Sequence, residues 1–233
     1  MTEKELYQQW LEHATEDADL QTELKGIAGD DAAISDRFYR DLEFGTGGLR
    51  GVIGAGTYRM NIYTVRRATQ GLANYVKSAF EAPSVAISYD SRIKSDVFAK
   101  AAAEVLAANG IRVHIYTELM PTPMLSYAVR AQKCSAGIMV TASHNPAKYN
   151  GYKVYWEDGA QFTPPHDKGV TEEVLAIEDL STVKTTDEAS ATAAGLYQVI
   201  GQEIDDKYIA QVKAQVVNQK AIDEMQDQIT IVY

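Results

Sequence analysis

Thr141-Ala142-Ser143-His144-Asn145-Pro146 sets a hydroxyl nucleophile, an imidazole, a carboxamide and a proline in a row. The row follows the apolar run Ala136 to Val140 and leads into Tyr149-Asn150-Gly151-Tyr152-Lys153. A buried strand that ends on such residues delivers several polar groups to the rim of a sheet, where open α/β sheets bind ligands. A serine in a loop is ordinarily a turn or helix cap. The neighbours of Ser143 argue for more: His144 can donate a hydrogen bond to a transferred anion, Asn145 and Pro146 stiffen the turn, and Lys153 supplies a cation or a base. Acyl transfer would call for a G-x-S-x-G elbow and a remote His/Asp pair, and the elbow is missing. Phosphoryl transfer asks mainly for positioning and charge stabilisation. Arg50, His144, Lys153 and a divalent metal can provide both.

Arg50 sits in the second chemically suggestive stretch, Phe44-Gly45-Thr46-Gly47-Gly48-Leu49-Arg50-Gly51-Val52-Ile53-Gly54-Ala55-Gly56, with six glycines in twelve positions. Glycine permits positive φ and close backbone approach, so such a loop either aims N–H groups at a phosphate or turns sharply between elements. The string lacks Gly-Lys-Ser/Thr and does not match G-x-G-x-x-G in its usual setting. A guanidinium held between glycines can address a phosphate through paired hydrogen bonds. Asp90 and Arg92, after a short apolar run, read equally as site residues or as a local ion pair. His13, His114 and His166 have no spacing suited to a metal or a triad and read as structural or surface residues.

The elements that must position these groups follow from periodicity. Residues 3 to 25 read as one amphipathic helix, and Asp31 to Tyr39 as a second with Asp30 or Asp31 as its cap. Asn61 to Ala79 is helical, with Arg66 and Arg67 on its solvated side. Ser84 to Tyr89, Ile111 to Tyr116 and Ala136 to Val140 are strands. They alternate with helices over Ser95 to Asn109, closed by Gly110, and after Thr122-Pro123. That alternation predicts an α/β fold with a parallel sheet. Tyr152 to Trp156 adds a strand, and Asp158-Gly159 a turn. Pro164 to Leu180 reads as helical and Ser181 to Ala194 as a linker. Beyond it come a strand at Gly195 to Ile200, a helix at Ile204 to Val216, and a β-prone run from Gln228 to Tyr233 that looks cut.

With 45% hydrophobic and 23% charged residues in 233, the chain has the composition of globular material large enough for one domain and part of another. No segment reaches the ~20 apolar residues of a membrane span, and the polar start lacks the apolar core of a signal peptide. The expected location is cytoplasmic. Cys134 has no partner for a disulfide and reads as a small buried side chain. A net charge of -10 disfavours binding to nucleic acid or to anionic membrane. An anionic ligand must then be held by locally focused positive groups.

Phe44-Gly-Thr-Gly-Gly-Leu-Arg50-Gly, Tyr89-Asp-Ser-Arg92, Pro121-Thr-Pro123, and Thr141 to Pro146 continued by Asn150-Gly-Tyr-Lys153 occur here in order. In these motifs the chain resembles the N-terminal part of the α-D-phosphohexomutases, the phosphoglucomutase and phosphomannomutase enzymes. The resemblance implies a mixed, mostly parallel sheet sandwiched by helices. It divides the chain into a helical extension at 1–40, a first domain at 41–190 and the beginning of a second at 195–233. Ser143 matches the family's catalytic serine, phosphorylated in the resting enzyme, and His144 the residue beside it. Arg50 and Lys153 match groups thought to serve as general acid and base or to ease those steps. Thr46, Gly47, Asn145, Asn150 and Arg92 are the implied substrate contacts.

The implied reaction passes the phosphoryl group to a hexose phosphate and takes another back through a bisphosphate, with magnesium and a hexose 1,6-bisphosphate activator as cofactors. A phosphoserine carries about -1.5 to -2 charges and repels an incoming sugar phosphate unless cations intervene. Ser143 would meet the metal through its phosphate. The family's D-G-D-G-D-type loop does not occur in the sequence, so the carboxylate ligands and the remaining domains are expected downstream. Glucose phosphates are the expected substrates. A mannose, pentose or amino-sugar phosphate, or a binding module without turnover, are the alternatives.

Overall fold

The structure, a computed structural model, describes residues 1–45, 47–230 and 232. Thr46, a predicted substrate contact, lies outside them. Three helices come first: α1 (Glu3–His13), α2 (Ala18–Gly26) and α3 (Asp31–Phe38). The single helix expected over 3 to 25 is split because the Asp17 side chain accepts from the Asp19 amide and caps a new start. Asp30 caps α3 through the Ala33 amide.

The helices enclose their own small core, in which Tyr7, Trp10, Leu20, Leu24, Ile34 and Phe38 meet Ala55 of the glycine stretch. The Glu23 carboxylate joins this unit to that turn, accepting from the Ala55 amide at 2.8 Å while pairing with Arg37 at 2.9 Å.

The rest of the chain builds one six-stranded sheet: β1 (Gly48–Val52), β2 (Ser84–Tyr89), β3 (Arg112–Tyr116), β4 (Ala136–Val140), β5 (Tyr149–Trp156) and β6 (Tyr197–Ile200). Its order is β1-β5-β4-β2-β3-β6. The strands from β4 to β6 are parallel, and β5 pairs antiparallel with both β4 and β1. The mixed sheet has helices on both faces. On one, α4 (Ile62–Ala79), α5 (Ser95–Ala108) and α7 (His166–Leu175) bury Val65, Leu72, Phe98 and Val174 against Val85, Ile87, Ile138 and Val154. On the other, α6 (Thr122–Ala131) and α9 (Gln202–Lys213) cover Ala86, Met139 and Tyr155 with Leu125, Val129 and Ile204.

Several expectations are corrected. The strand at 197–200 pairs in parallel register with β3, Val113 opposite Tyr197 and Tyr116 opposite Ile200. It is thus the edge strand of the same six-stranded sheet. The linker read from Ser181 to Ala194 contains a short helix, α8 (Glu188–Ala193), capped by Asp187, and α7 stops at Leu175. A short helix, α10 (Gln219–Met225), follows α9, and Gln228 to Thr230 form turn and coil where a strand was expected. Ile231 and Tyr233 of that run lie outside the described residues.

Arg66 and Arg67 are only 14% and 18% exposed, pairing with Glu16 at 2.7 Å and with Asp41 at 2.5 Å. Helical periodicity does not reveal that another segment packs over the polar side of α4. Cys134 is buried, as expected, and no described helix is long and apolar enough to cross a membrane.

Candidate active site

The chain leaves β2 towards α5 on one face and returns to β4 through α6 on the other. The carboxyl ends of β2 and β4 therefore diverge at a topological switch point, the usual crevice in sheets of this kind. Asp90 follows β2 and Thr141 follows β4. Hydrogen bonds from Asp90 N to Val140 O at 3.2 Å and from Thr141 N to Gly151 O at 3.0 Å carry the ladders one step beyond the strands.

Register fixes which side chains share a face, because alternate residues point the same way and cross-strand partners point together. Met139 pairs with Ser88 and with Lys153, and Arg50 with Gly151. Arg50, Asp90, Thr141 and Lys153 thus rise from the α6 face, beyond the reach of that helix.

The antiparallel end of the sheet explains two of the glycines. A Cβ on Gly48, at φ +147°, would lie 1.9 Å from the Tyr152 carbonyl oxygen, and one on Gly151 would lie 2.5 Å from that of Thr141. β1, β5 and the end of β4 can draw together only with hydrogen at both positions.

Ser143 is exposed and takes φ +54°, the left-handed region. Its amide donates to Thr141 Oγ1 at 2.9 Å, and that hydroxyl donates to Asp90 Oδ2 at 2.5 Å. Ser143 Oγ lies 3.4 Å from His144 Nδ1. A non-glycine residue in this conformation is strained by about 1–2 kcal/mol. Ser143→Gly is therefore expected to be more stable than Ser143→Ala by about 1 kcal/mol, with a Tm some 2–4 °C higher for a chain of this size. Thermal melts of the two variants check this, and the reverse order would show that the loop is relaxed.

Arg92 fixes the loop from behind. Its guanidinium donates to the carbonyl oxygens of Ser143 at 2.5 Å, Asn145 at 2.7 Å, Tyr149 at 3.1 Å and Pro146 at 3.3 Å. Its amide donates to Asp90 Oδ1, which also accepts from Ser95 Oγ, both at 3.1 Å. Asn150 is fully buried: its amide group donates to Ile93 O and Ser95 Oγ, and its oxygen accepts from the Gly151 amide.

Arg92 and Asn150, predicted as substrate contacts, have their polar groups engaged within the protein, where they hold the loop. Gly47, also predicted as a contact, is buried at φ +79° with its carbonyl accepting from Val154 N at 2.8 Å. Asn145 differs. Its Oδ1 is buried with no hydrogen-bond partner among the described residues, leaving an acceptor unused near Ser143.

Lys153 is half-buried and Arg50 exposed. Burial and the nearby Arg50 guanidinium pull the Lys153 ammonium below the usual lysine range, against an opposing pull from Asp90. The face thus carries a permanent cation and a lysine that gives up its proton more readily than usual. Sequence reasoning gave no role to Thr141, whose hydroxyl links the Ser143 amide to Asp90. A threonine two residues before a serine that needs positive φ is the signal that could have found it.

Among the described residues no three His, Cys, Asp or Glu side chains come together as metal ligands. Asp90 is already engaged by Thr141, Ser95 and the Arg92 amide. These residues alone do not make a magnesium site around Ser143. A separate cleft on the opposite face, lined by Gln70, Asn74, Lys77, Asn109 and Lys184, holds none of the residues gathered around Ser143.

An exposed serine at the switch point, with its loop tied by main-chain contacts and two cationic side chains on one face, is the candidate site of this α/β domain. Residues 41–181 match the family described as phosphoglucomutase/phosphomannomutase, alpha/beta/alpha domain I. The chain belongs to that family.

It is 36% identical over 210 residues to a phosphoglucomutase of Staphylococcus saprophyticus, a match covering 88% of this chain and 37% of that protein. It is 39% identical over 176 residues to the Homo sapiens phosphopentomutase, covering 71% and 29%. A solved structure from Thermus thermophilus, provisionally described as a phosphomannomutase, superposes with a TM-score of 0.65 at 27% identity, covering 78% of this chain and 38% of that one. The chain spans well under half the length of the relatives it matches.

Proposed function

We propose that this chain supplies the nucleophile domain of a magnesium-dependent, cytoplasmic sugar-phosphate mutase that interconverts glucose 1-phosphate and glucose 6-phosphate. The observation that carries the reading is Ser143, exposed on a left-handed turn with Arg50 and Lys153 on the sheet face beside it. In the transfer step the bond from Ser143 Oγ to phosphorus breaks as a sugar hydroxyl oxygen bonds to the same phosphorus. The hydroxyl proton passes to a base and the serine oxygen regains one. Lys153 suits the proton exchange because its proton is held less tightly than usual, and Arg50 the charge spread over the phosphoryl oxygens.

His144 Nδ1 adds a hydrogen bond at the serine. Magnesium belongs to this reading through ligands that the described residues do not provide. The remaining domains of the enzyme are its partners, and a hexose 1,6-bisphosphate its activator. The likeness to the human phosphopentomutase supports a second reading in which a pentose phosphate is preferred.

The test is intact-mass analysis after incubation with glucose 1,6-bisphosphate and, separately, ribose 1,5-bisphosphate, each with magnesium and with the remaining domains present. The expected result is one added phosphoryl group on Ser143, acquired faster from the hexose donor. Faster transfer from the pentose donor would favour the second reading, and phosphate appearing only on other residues would overturn both.

A further inference from the structure

Lys94 violates two local preferences at once. It is not glycine, yet it takes φ +60°, and it stands at the N-cap of α5 with no side-chain cap. A cation there opposes the helix dipole, and the left-handed backbone is strained in an L-residue. Both penalties would be relieved by asparagine, which tolerates this conformation and caps helices well. Features kept against local preference call for a compensating role.

That role is visible in what the side chain reaches. Lys94 Nζ donates to Asp17 Oδ2 at 2.7 Å and pairs with Asp19 Oδ2 at 3.0 Å, bonding across 77 residues of sequence to the start of α2. The pair with Asp17 is well shielded, the side chains being 20% and 14% exposed. Residue 16 is anchored in turn. The Glu16 carboxylate takes both oxygens to Arg66 Nη1 at 2.7 and 2.8 Å, and its amide donates to Tyr63 Oη at 3.1 Å. Tyr63 and Arg66 belong to α4, one of the helices packed on the sheet.

On its other side Lys94 stands two residues from Arg92, which grips the nucleophile loop. It also follows Ile93, whose carbonyl receives Asn150. An unbroken series of bonded groups thus runs from α4 through residues 16 and 17 to Lys94, and along the 90–95 turn to the carbonyls around Ser143.

We propose that Lys94 is a positioning residue, clamped by Asp17 and Asp19, through which the N-terminal helices hold Arg92 and hence the Ser143 loop in place. Its importance for catalysis rests on the mutase reading, whereas its effect on the loop is measurable without turnover.

The test is hydrogen exchange on the 233-residue chain, comparing Lys94→Asn and Lys94→Arg with wild type. Asparagine suits the backbone and removes the ammonium, so a purely conformational role predicts no loosening. The expected result is exchange about tenfold faster at the hydrogen-bonded amides of Ser143, Asn145 and Tyr149 in Lys94→Asn. The Val113 amide within the sheet should stay unchanged, and Lys94→Arg should restore the protection. Asp17→Asn should loosen the same amides.

Unchanged exchange in the loop, or an equal rise at Val113, would overturn the proposal. In the mutase assay with the remaining domains present, kcat should fall with KM nearly constant. An assay in which wild type also fails would count against the mutase reading and leave the exchange result standing.

Discussion

On the proposed mutase reading, and with the remaining domains present, Ser143→Ala is expected to lower turnover by at least about 10⁴-fold, the scale at which removing a covalent nucleophile acts. The variant should also fail to retain a phosphoryl group under conditions in which wild type does. Its fold should persist, because the Ser143 side chain is exposed and its amide and carbonyl carry the bonds that shape the loop. Alanine keeps both main-chain groups. Turnover and intact mass are to be measured on the same preparation, with circular dichroism as the control on folding. A variant that retains a tenth of the activity would remove Ser143 from the chemistry and leave its strained backbone unexplained.

Arg92→Ala is expected to cost about 10²- to 10³-fold in kcat even though the guanidinium is turned towards the protein. Four carbonyl oxygens lose their common donor. The loop can then relax out of the left-handed turn at Ser143. A displacement of about 1 Å at a nucleophile can lower a rate 10²-fold.

Hydrogen bonds to charged groups contribute about 1.5–3 kcal/mol each where fully formed and buried. Arg92 is 13% exposed and part of its set is replaceable by water, so a total loss of about 2 kcal/mol in stability is expected. Arg92→Lys should not rescue, because an ammonium has three donors on one nitrogen and lacks the planar fork that reaches separate carbonyls. A direct substrate contact would instead raise KM more than it lowers kcat. Steady-state kinetics on the alanine and lysine variants separate the two roles.

The strands β2, β3 and β4 were legible because each is a short apolar run between turn residues, and the helices between them because their apolar positions repeat. The serine loop was legible because hydroxyl, imidazole and amide follow one another in sequence. What sequence concealed depends on partners far along the chain. Asn150 and Arg92 look like ligand-binding residues, yet their polar groups turn inward to carbonyls contributed by other turns. Arg66 lies on the polar side of a helix and reads as solvated until Glu16, 50 residues away, covers it.

Strand β6 was recognised as a strand, but its place beside β3 was not. Parallel pairing leaves no local turn to mark it. Lys94 gave no signal at all, because neither φ nor a distant carboxylate is written in periodicity.

The Ser143 loop is gripped by its carbonyls, and every residue type has one. Side chains at Ala147 and Lys148, which are exposed, are therefore free to drift without the loop losing its shape. The rim of this crevice can change its side chains while the turn at Ser143 keeps its shape. A mutational scan of these positions should show broad tolerance bordered by intolerance at Arg92, whose guanidinium holds four of the loop's carbonyl oxygens.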